Sequence, residues 1–229
     1  MTTYTWKSAV SADWNPGDWS PAGPPDSATA DVSIAAGSLS GYTVTIADDE
    51  SIEVDSLTFG PGPFGTLALD GMLTLGGALA AMTIEGNGTV DIAGTLAGGT
   101  LTLENGVLDD TGAGTISSTL LFGGVEGNVL VASGQTLTLA GTVMAISGFF
   151  IAGPGTVLTT GATNINGGQG FGLSNGVTWL NSGTVTDAGS VGGSSVPNTI
   201  SNLSGGIFDL TGTGGGGIGA TVMNNAGLL

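Results

Sequence analysis

Carboxylates are the reactive side chains that this sequence concentrates. Two pairs of adjacent acids, Asp48-Asp49 and Asp109-Asp110, are its densest acidic positions. Two carboxylates can act as acid and base in glycoside hydrolysis when both lie beside the same bond. Neighbouring residues of a strand, however, face opposite sides of the sheet. The sequence therefore predicts turn or surface roles for both pairs and leaves hydrolysis by carboxylates as a formal alternative.

Other catalytic groups are scarce. The chain has no Cys and no His, and Lys7 is its single basic residue. The lack of Cys excludes disulfides, thiolate metal sites and cysteine nucleophiles. Serine and threonine have no histidine or lysine base to complete a triad, and a polysaccharide lyase would lack its basic proton acceptor. We therefore predict a protein that is not an enzyme, with no catalytic residues and no cofactor.

Calcium is the metal that the acidic residues suit best, because it prefers hard oxygen ligands. Asp48, Asp49 and Glu50 could supply such oxygens together with nearby carbonyls. The glycine-rich nonapeptide calcium repeat and the EF-hand spacing are both absent. We predict no dedicated metal site and leave weak calcium binding as an alternative.

The charge balance limits the partners. The 18 acidic residues and the single lysine give a net charge of −17. One lysine cannot neutralise a run of phosphates, so nucleic acid is excluded as a partner. Anionic membranes repel it as well. The most apolar run, 143–157, is interrupted by glycine and proline, so this segment is not expected to insert into a membrane. The first residues also lack the pattern of a signal peptide.

Short strands separated by glycine-rich corners make up most of the chain. Tyr42–Ile46 and Thr136–Leu139 alternate apolar and polar residues, and Ser51–Phe59 does so with an adjustment of register between Val54 and Leu57. The 45 glycines suit corners, where backbones approach closely. Strands and turns at a near-constant interval are typical of a coil in which each turn stacks on the last.

Asparagines mark the repeat near the end of the chain. Asn181, Asn202 and Asn224 follow one another at spacings of 21 and 22 residues. We therefore predict a right-handed parallel β-solenoid with rungs of about 20 residues. It would occupy residues 39–229 and continue beyond them in a longer parent. The three asparagines are given a structural role, because stacked amides can hydrogen-bond along a column.

Residues 1–38 differ from the rest and are predicted to form an N-terminal cap. They contain Trp6, Trp14 and Trp19, three of the four tryptophans, among several prolines. An aromatic lid would cover strands that are otherwise unpaired at the end of a solenoid. The alternative is a sugar-stacking platform formed by these rings or by Trp179.

The sequence also resembles a known class of proteins. Asp13-Trp14-Asn15, Asp18–Pro21, Tyr42–Ile46 and Ser133–Gly141 are similar to segments of glycine-rich bacterial surface proteins, including autotransporter passengers and adhesins. The resemblance implies a parallel β-solenoid that is extracellular or displayed on the bacterial cell surface.

Three functions follow as expectations. The first is a structural or adhesive segment that acts as a stalk or scaffold, with self-association through the solenoid ends and a host or glycan receptor as partners. The second is a carbohydrate-binding or polysaccharide-processing solenoid. The third is an ice-binding solenoid, which needs aligned threonines. Pairs such as Thr43/Thr45, Thr100/Thr102 and Thr136/Thr138 lie too far apart in sequence to align with one another, which disfavours it.

Overall fold

The structure is a computed structural model that describes most of the chain. The described residues are 1–35, 41–60, 65–77, 79–123, 127–146, 148–166, 170–193, 196–211, 218–219 and 221–229. Within these ranges the strands account for all regular secondary structure, and no helix occurs. The predicted boundary between cap and solenoid, after residue 38, lies outside the described residues.

Four strands belong to the N-terminal segment, namely β1 (Thr2–Trp6), β2 (Ala12–Asp13), β3 (Trp19–Ser20) and β4 (Ser27–Ile34). The remaining strands follow in chain order: β5 (Tyr42–Ile46), β6 (Ser51–Phe59), β7 (Gly65–Leu69), β8 (Met72–Leu75), β9 (Ala81–Glu85), β10 (Thr89–Ile92), β11 (Thr95–Gly98), β12 (Thr100–Glu104), β13 (Val107–Asp110), β14 (Thr115–Ile116), β15 (Thr119–Phe122), β16 (Gly127–Val131), β17 (Thr136–Leu139), β18 (Val143–Ala145), β19 (Phe149–Ala152), β20 (Thr156–Thr159), β21 (Ala162–Ile165), β22 (Gly170–Ser174), β23 (Thr178–Asn181), β24 (Thr184–Asp187), β25 (Ser190–Gly193), β26 (Asn198–Asn202), β27 (Ile207–Leu210), β28 (Ile218–Gly219) and β29 (Thr221–Asn225).

The strands stack in three parallel columns, which we call faces 1, 2 and 3. Face 1 contains β2, β5, β7, β10, β13, β16, β19, β22, β25 and β28. Face 2 contains the first half of β6, then β8, β11, β14, β17, β20, β23, β26 and β29. Face 3 contains β1, β4, the second half of β6, then β9, β12, β15, β18, β21, β24 and β27. The prediction of an all-β parallel solenoid is confirmed, with about eight turns of about 22 residues.

The predicted adjustment of register in β6 is a corner of the solenoid. Ser51–Val54 pairs with β8 on face 2, whereas Ser56–Phe59 pairs with β9 on face 3. Asp55 lies between the two paired segments. The strand therefore turns from one face to the next without a glycine.

Inward side chains of successive turns lie directly over one another. On face 2 the pairing register aligns five buried aliphatic residues, namely Ile52, Leu73, Leu96, Ile116 and Leu139. Burial of each such side chain contributes roughly 1.5–3 kcal/mol to stability. After Leu139 the same position is occupied by Thr159 and then Asn181. The column therefore changes from aliphatic to polar within the buried interior.

The N-terminal segment lies against the first turn. β1 pairs in parallel with β4 and antiparallel with β3, while β2 pairs in parallel with β5. Trp6, Trp14 and Trp19 are buried, and the ring centroid of Trp19 lies 4.8 Å from Trp6 and 4.7 Å from Trp14. The indole N–H of Trp14 donates to the Pro25 carbonyl, and that of Trp19 to the Trp14 carbonyl, both at 2.9 Å. The three rings thus form one packed cluster in the interior.

Candidate functional site

A ladder of asparagine amides runs through the buried corner between faces 2 and 3. Asn181 Nδ2 donates to Asn202 Oδ1 at 2.9 Å, and Asn202 Nδ2 donates to Asn225 Oδ1 at 2.8 Å. Asn181 and Asn202 are at most 1% exposed. Their amides also donate to carbonyls of the following corners, including Gly183 and Gly206 at 3.2 Å. The ladder therefore joins three successive turns and the glycine corners beside them.

The third member of the predicted column was wrong by one residue. The pairing register places Asn225, not Asn224, over Asn202. Asn224 lies over Ser201, is exposed and reaches the Ser201 hydroxyl only at 3.4 Å. Because side chains of a strand alternate between its two sides, only one of two adjacent asparagines can face inward.

Thr159 and Trp179 extend the ladder toward the N-terminus. The Trp179 indole N–H donates to the Thr159 hydroxyl at 2.9 Å, and that hydroxyl donates to Asn181 Oδ1 at 3.1 Å. Trp179 is fully buried, with its ring centroid 4.7 Å from Phe171 and 5.6 Å from Phe208. Sequence reasoning missed the role of Thr159, although it lies one rung before Asn181.

The four tryptophans offer no open ring face to a ligand. Trp6, Trp14, Trp19 and Trp179 are each no more than 2% exposed. A sugar ring can stack only on an aromatic face that water can reach. The sugar-stacking platform considered for these residues is therefore not formed by them.

The two acidic pairs have different surroundings: Asp48-Asp49 lies in an exposed turn after β5, whereas Asp109 and Asp110 face opposite sides of β13. Asp109 is partly exposed on the outside of β13, whereas Asp110 is buried and accepts a hydrogen bond from the Gly114 backbone at 2.7 Å. Burial, aided by the negative charge of Asp91, raises the pKa of Asp109. Burial also raises the pKa of Asp110, opposed by the Gly114 bond. Asp110 therefore closes the turn after β13, as expected of a turn residue.

Asp187 is a second buried carboxylate, which sequence reasoning missed. It is 1% exposed, and its Oδ1 accepts from the Gly189 backbone at 3.0 Å. Among the described residues its Oδ2 has no hydrogen-bond partner, and the same is true of Asp110 Oδ2. Burial raises the pKa of Asp187. The alternation of β24, in which Val185 faces inward, could have indicated that Asp187 does so too.

The acidic side chains of the described residues do not gather into a metal-ligating group. Glu50 is engaged in its own turn, where its carboxylate accepts from the Ala47 backbone at 3.0 Å. The described part of the chain contains no group of three or more potential metal-ligating side chains. The single lysine, Lys7, forms an ion pair with Asp18 at 2.7 Å. This ion pair lies in the N-terminal segment, away from the acidic pairs.

Partly exposed threonines of adjacent turns are aligned on the outer surface. The pairing register aligns four of them on face 2, namely Thr136, Thr156, Thr178 and Thr199. A shorter file on face 1 consists of Thr43, Thr66 and Thr89. The three Thr-x-Thr pairs named from the sequence do not align with one another, as expected, but Thr43 and Thr136 each align with threonines of other strands. Their hydroxyls repeat at the strand spacing of about 4.8 Å.

Comparison with known proteins assigns no family to the chain. No family model, no curated protein and no solved structure matches the chain. Among the described residues, no helix is long and apolar enough to cross a membrane. The resemblance to bacterial surface proteins accordingly stays a prediction from the sequence.

Proposed function

We propose that this chain is a non-enzymatic rod that serves as a stalk, scaffold or adhesin of a secreted or surface-displayed bacterial protein. The observation that supports this most is the continuous interior. The aliphatic column of face 2 passes directly into the asparagine ladder, so neighbouring turns are joined along the length of the coil. A coil held together by contacts between neighbouring turns suits a mechanical role.

The outer surface supports the adhesive part of the proposal. Aligned threonines present the same hydroxyl at each of several successive turns. Repeated weak contacts on a stiff support bind together far more tightly than each does alone. A host or glycan surface is therefore the expected partner, with turns from a second copy as another.

Stretching single molecules by their two ends tests the rod. Each turn holds about 22 residues, so its release should add about 75 Å of contour length. We expect a series of such steps. A single step that releases the whole chain would contradict a rod whose turns unfold one at a time.

A second experiment tests the adhesive role. The number of coated beads that adhere to host cells should rise more than proportionally with the density of the coating. Turnover of polysaccharide by the purified chain would refute the passive role.

The threonine file of face 2 favours ice binding as a second candidate. Four hydroxyls in register at about 4.8 Å can order water into a regular layer. Inhibition of ice recrystallisation measures this activity. The double substitution Thr156→Lys and Thr178→Lys should abolish it, and wild-type protein that leaves crystal growth unchanged would exclude it.

A further inference from the structure

An aromatic side chain and a floor of glycines form a groove on the outside of face 1. The groove has a volume of about 390 Å³ and crosses β19, β22 and β25. The pairing register places Phe150 beside Gly172, and Gly172 beside Gly192. Ser174 and Ser190 provide hydroxyls at its edges. At this position β22 and β25 expose backbone, whereas β16 and β19 carry Asn128 and Phe150.

Gly172 leaves room for the Phe150 ring to lie on this floor, because glycine has no side chain. Two atoms of its ring occupy the space that a Cβ at position 172 would fill. Phe150 as a residue is 49% exposed, and its ring rests on the Gly172 backbone on one side. Phe171, one residue before Gly172, faces inward and is 2% exposed. Unlike the four buried tryptophans, Phe150 has a ring surface that a ligand can reach.

The charge of the molecule narrows the ligand class. Only three of the 18 acidic residues follow Asp110, namely Glu126, Asp187 and Asp209. None of the described residues that line the groove is charged. The net charge of −17 repels anionic ligands, and a cationic ligand would prefer the acidic N-terminal half. The groove therefore suits a neutral ligand with an apolar face and hydroxyl edges.

We propose that this groove binds a neutral oligosaccharide, with a pyranose ring stacked on Phe150 and its hydroxyls bonded to Ser174, Ser190 and exposed backbone groups. Its volume lies within the range typical of small-ligand sites. Two strand spacings, about 10 Å, separate its first and last strands, which gives room for one or two sugar rings. Such a site would add ligand binding to the mechanical role of the rod, and the stiff coil would hold the site in place.

Calorimetric titration of the whole chain tests the proposal, with cellohexaose, maltohexaose and mannohexaose as neutral probes and hexagalacturonate as the anionic one. At least one neutral probe should bind and hexagalacturonate should not. Phe150→Ala should weaken binding about tenfold or more, whereas Phe150→Tyr should retain it. Gly172→Ala should weaken it as well, because the added methyl group displaces the ring.

Met144→Ala is the matched control, since Met144 is an exposed apolar residue on face 3. It should leave binding unchanged, and circular dichroism should show that every variant is folded. Three results would overturn the proposal: no neutral probe binds at millimolar concentration, Phe150→Ala binds as wild type does, or sedimentation shows that Phe150 instead joins two copies of the chain. None of these results would affect the stepwise extension expected of the rod.

Discussion

The substitution Asn202→Ala should destabilise the solenoid more than a typical single substitution does. Asn202 is 1% exposed, and its Oδ1 accepts from Asn181. Its Nδ2 lies within hydrogen-bond distance of Asn225 Oδ1 at 2.8 Å and of the Leu228 and Gly206 carbonyls at 2.9 and 3.2 Å. Alanine removes all of these contacts and leaves a small buried gap.

The expected loss follows from the number of bonds. The two amide hydrogens and the accepting oxygen account for about three hydrogen bonds, each with a net contribution of about 1 kcal/mol. Asn181 keeps other acceptors at Gly183 and Ile207, so its amide is not left without a partner. We therefore expect a loss of about 2–4 kcal/mol in the free energy of unfolding.

Urea unfolding followed by tryptophan fluorescence measures this loss, since Trp179 lies two residues before Asn181. With a denaturant slope of about 3 kcal/mol per molar, the midpoint should fall by about 1 M. Asn224→Ala is the matched control: Asn224 is exposed with one 3.4 Å contact, so its loss should stay within about 0.5 kcal/mol. Equal midpoints for the two variants would refute the assignment of the ladder to Asn202.

Three further predictions concern a corner, a carboxylate and the N-terminal cluster. Gly183→Ala should lower the free energy of unfolding in urea by more than about 2 kcal/mol, because its Cβ would overlap the Gly161 carbonyl oxygen. At Gly192 the added methyl group would meet open space, so the loss for Gly192→Ala should be smaller than that for Gly183→Ala by at least about 1 kcal/mol. Burial raises the folded-state pKa of Asp187, so the folded chain holds that proton more tightly than the unfolded chain, and stability should rise as pH falls through the raised pKa toward the lower pKa of the unfolded chain. Asp187→Asn should flatten this rise in midpoints measured from neutral pH down to the ordinary range of an aspartate, and an unchanged slope would contradict it. Trp14→Ala should cost about 3–5 kcal/mol. Trp14→Phe should cost about 2 kcal/mol, since phenylalanine loses the bond to Pro25 and leaves a smaller cavity than alanine does. Similar melting curves for the two variants would argue against the packed cluster.

The fold was predictable because the repeat consists of short local sequence patterns. Tyr42–Ile46 and Thr136–Leu139 alternate over the whole of a strand, and both have the predicted bounds in the structure. The spacing of Asn181 and Asn202 gave the length of a turn. These signals depend only on the two-residue period of a strand and on a constant interval between corners.

Register was the part that the sequence did not determine. Asn224 and Asn225 are adjacent and chemically identical, and only the pairing with β26 shows which one faces inward. The threonine files were missed for the same reason, because Thr136 pairs with Thr156 rather than with another Thr-x-Thr pair. The seat of Phe150 depends on Gly172 in the next turn, a contact between residues with no recognisable motif in common.

The relay from Thr159 through Asn181 and Asn202 to Asn225 has a direction. Every donor in it lies one turn before its acceptor, so each bond points toward the C-terminal end. The bond dipoles therefore add rather than cancel, and each bond polarises its neighbours. A turn that continues this relay must present an acceptor to the amide before it, so further turns can extend it only in the same sense. If the C-terminal ends of two such relays met, an amide donor of one would face an amide donor of the other.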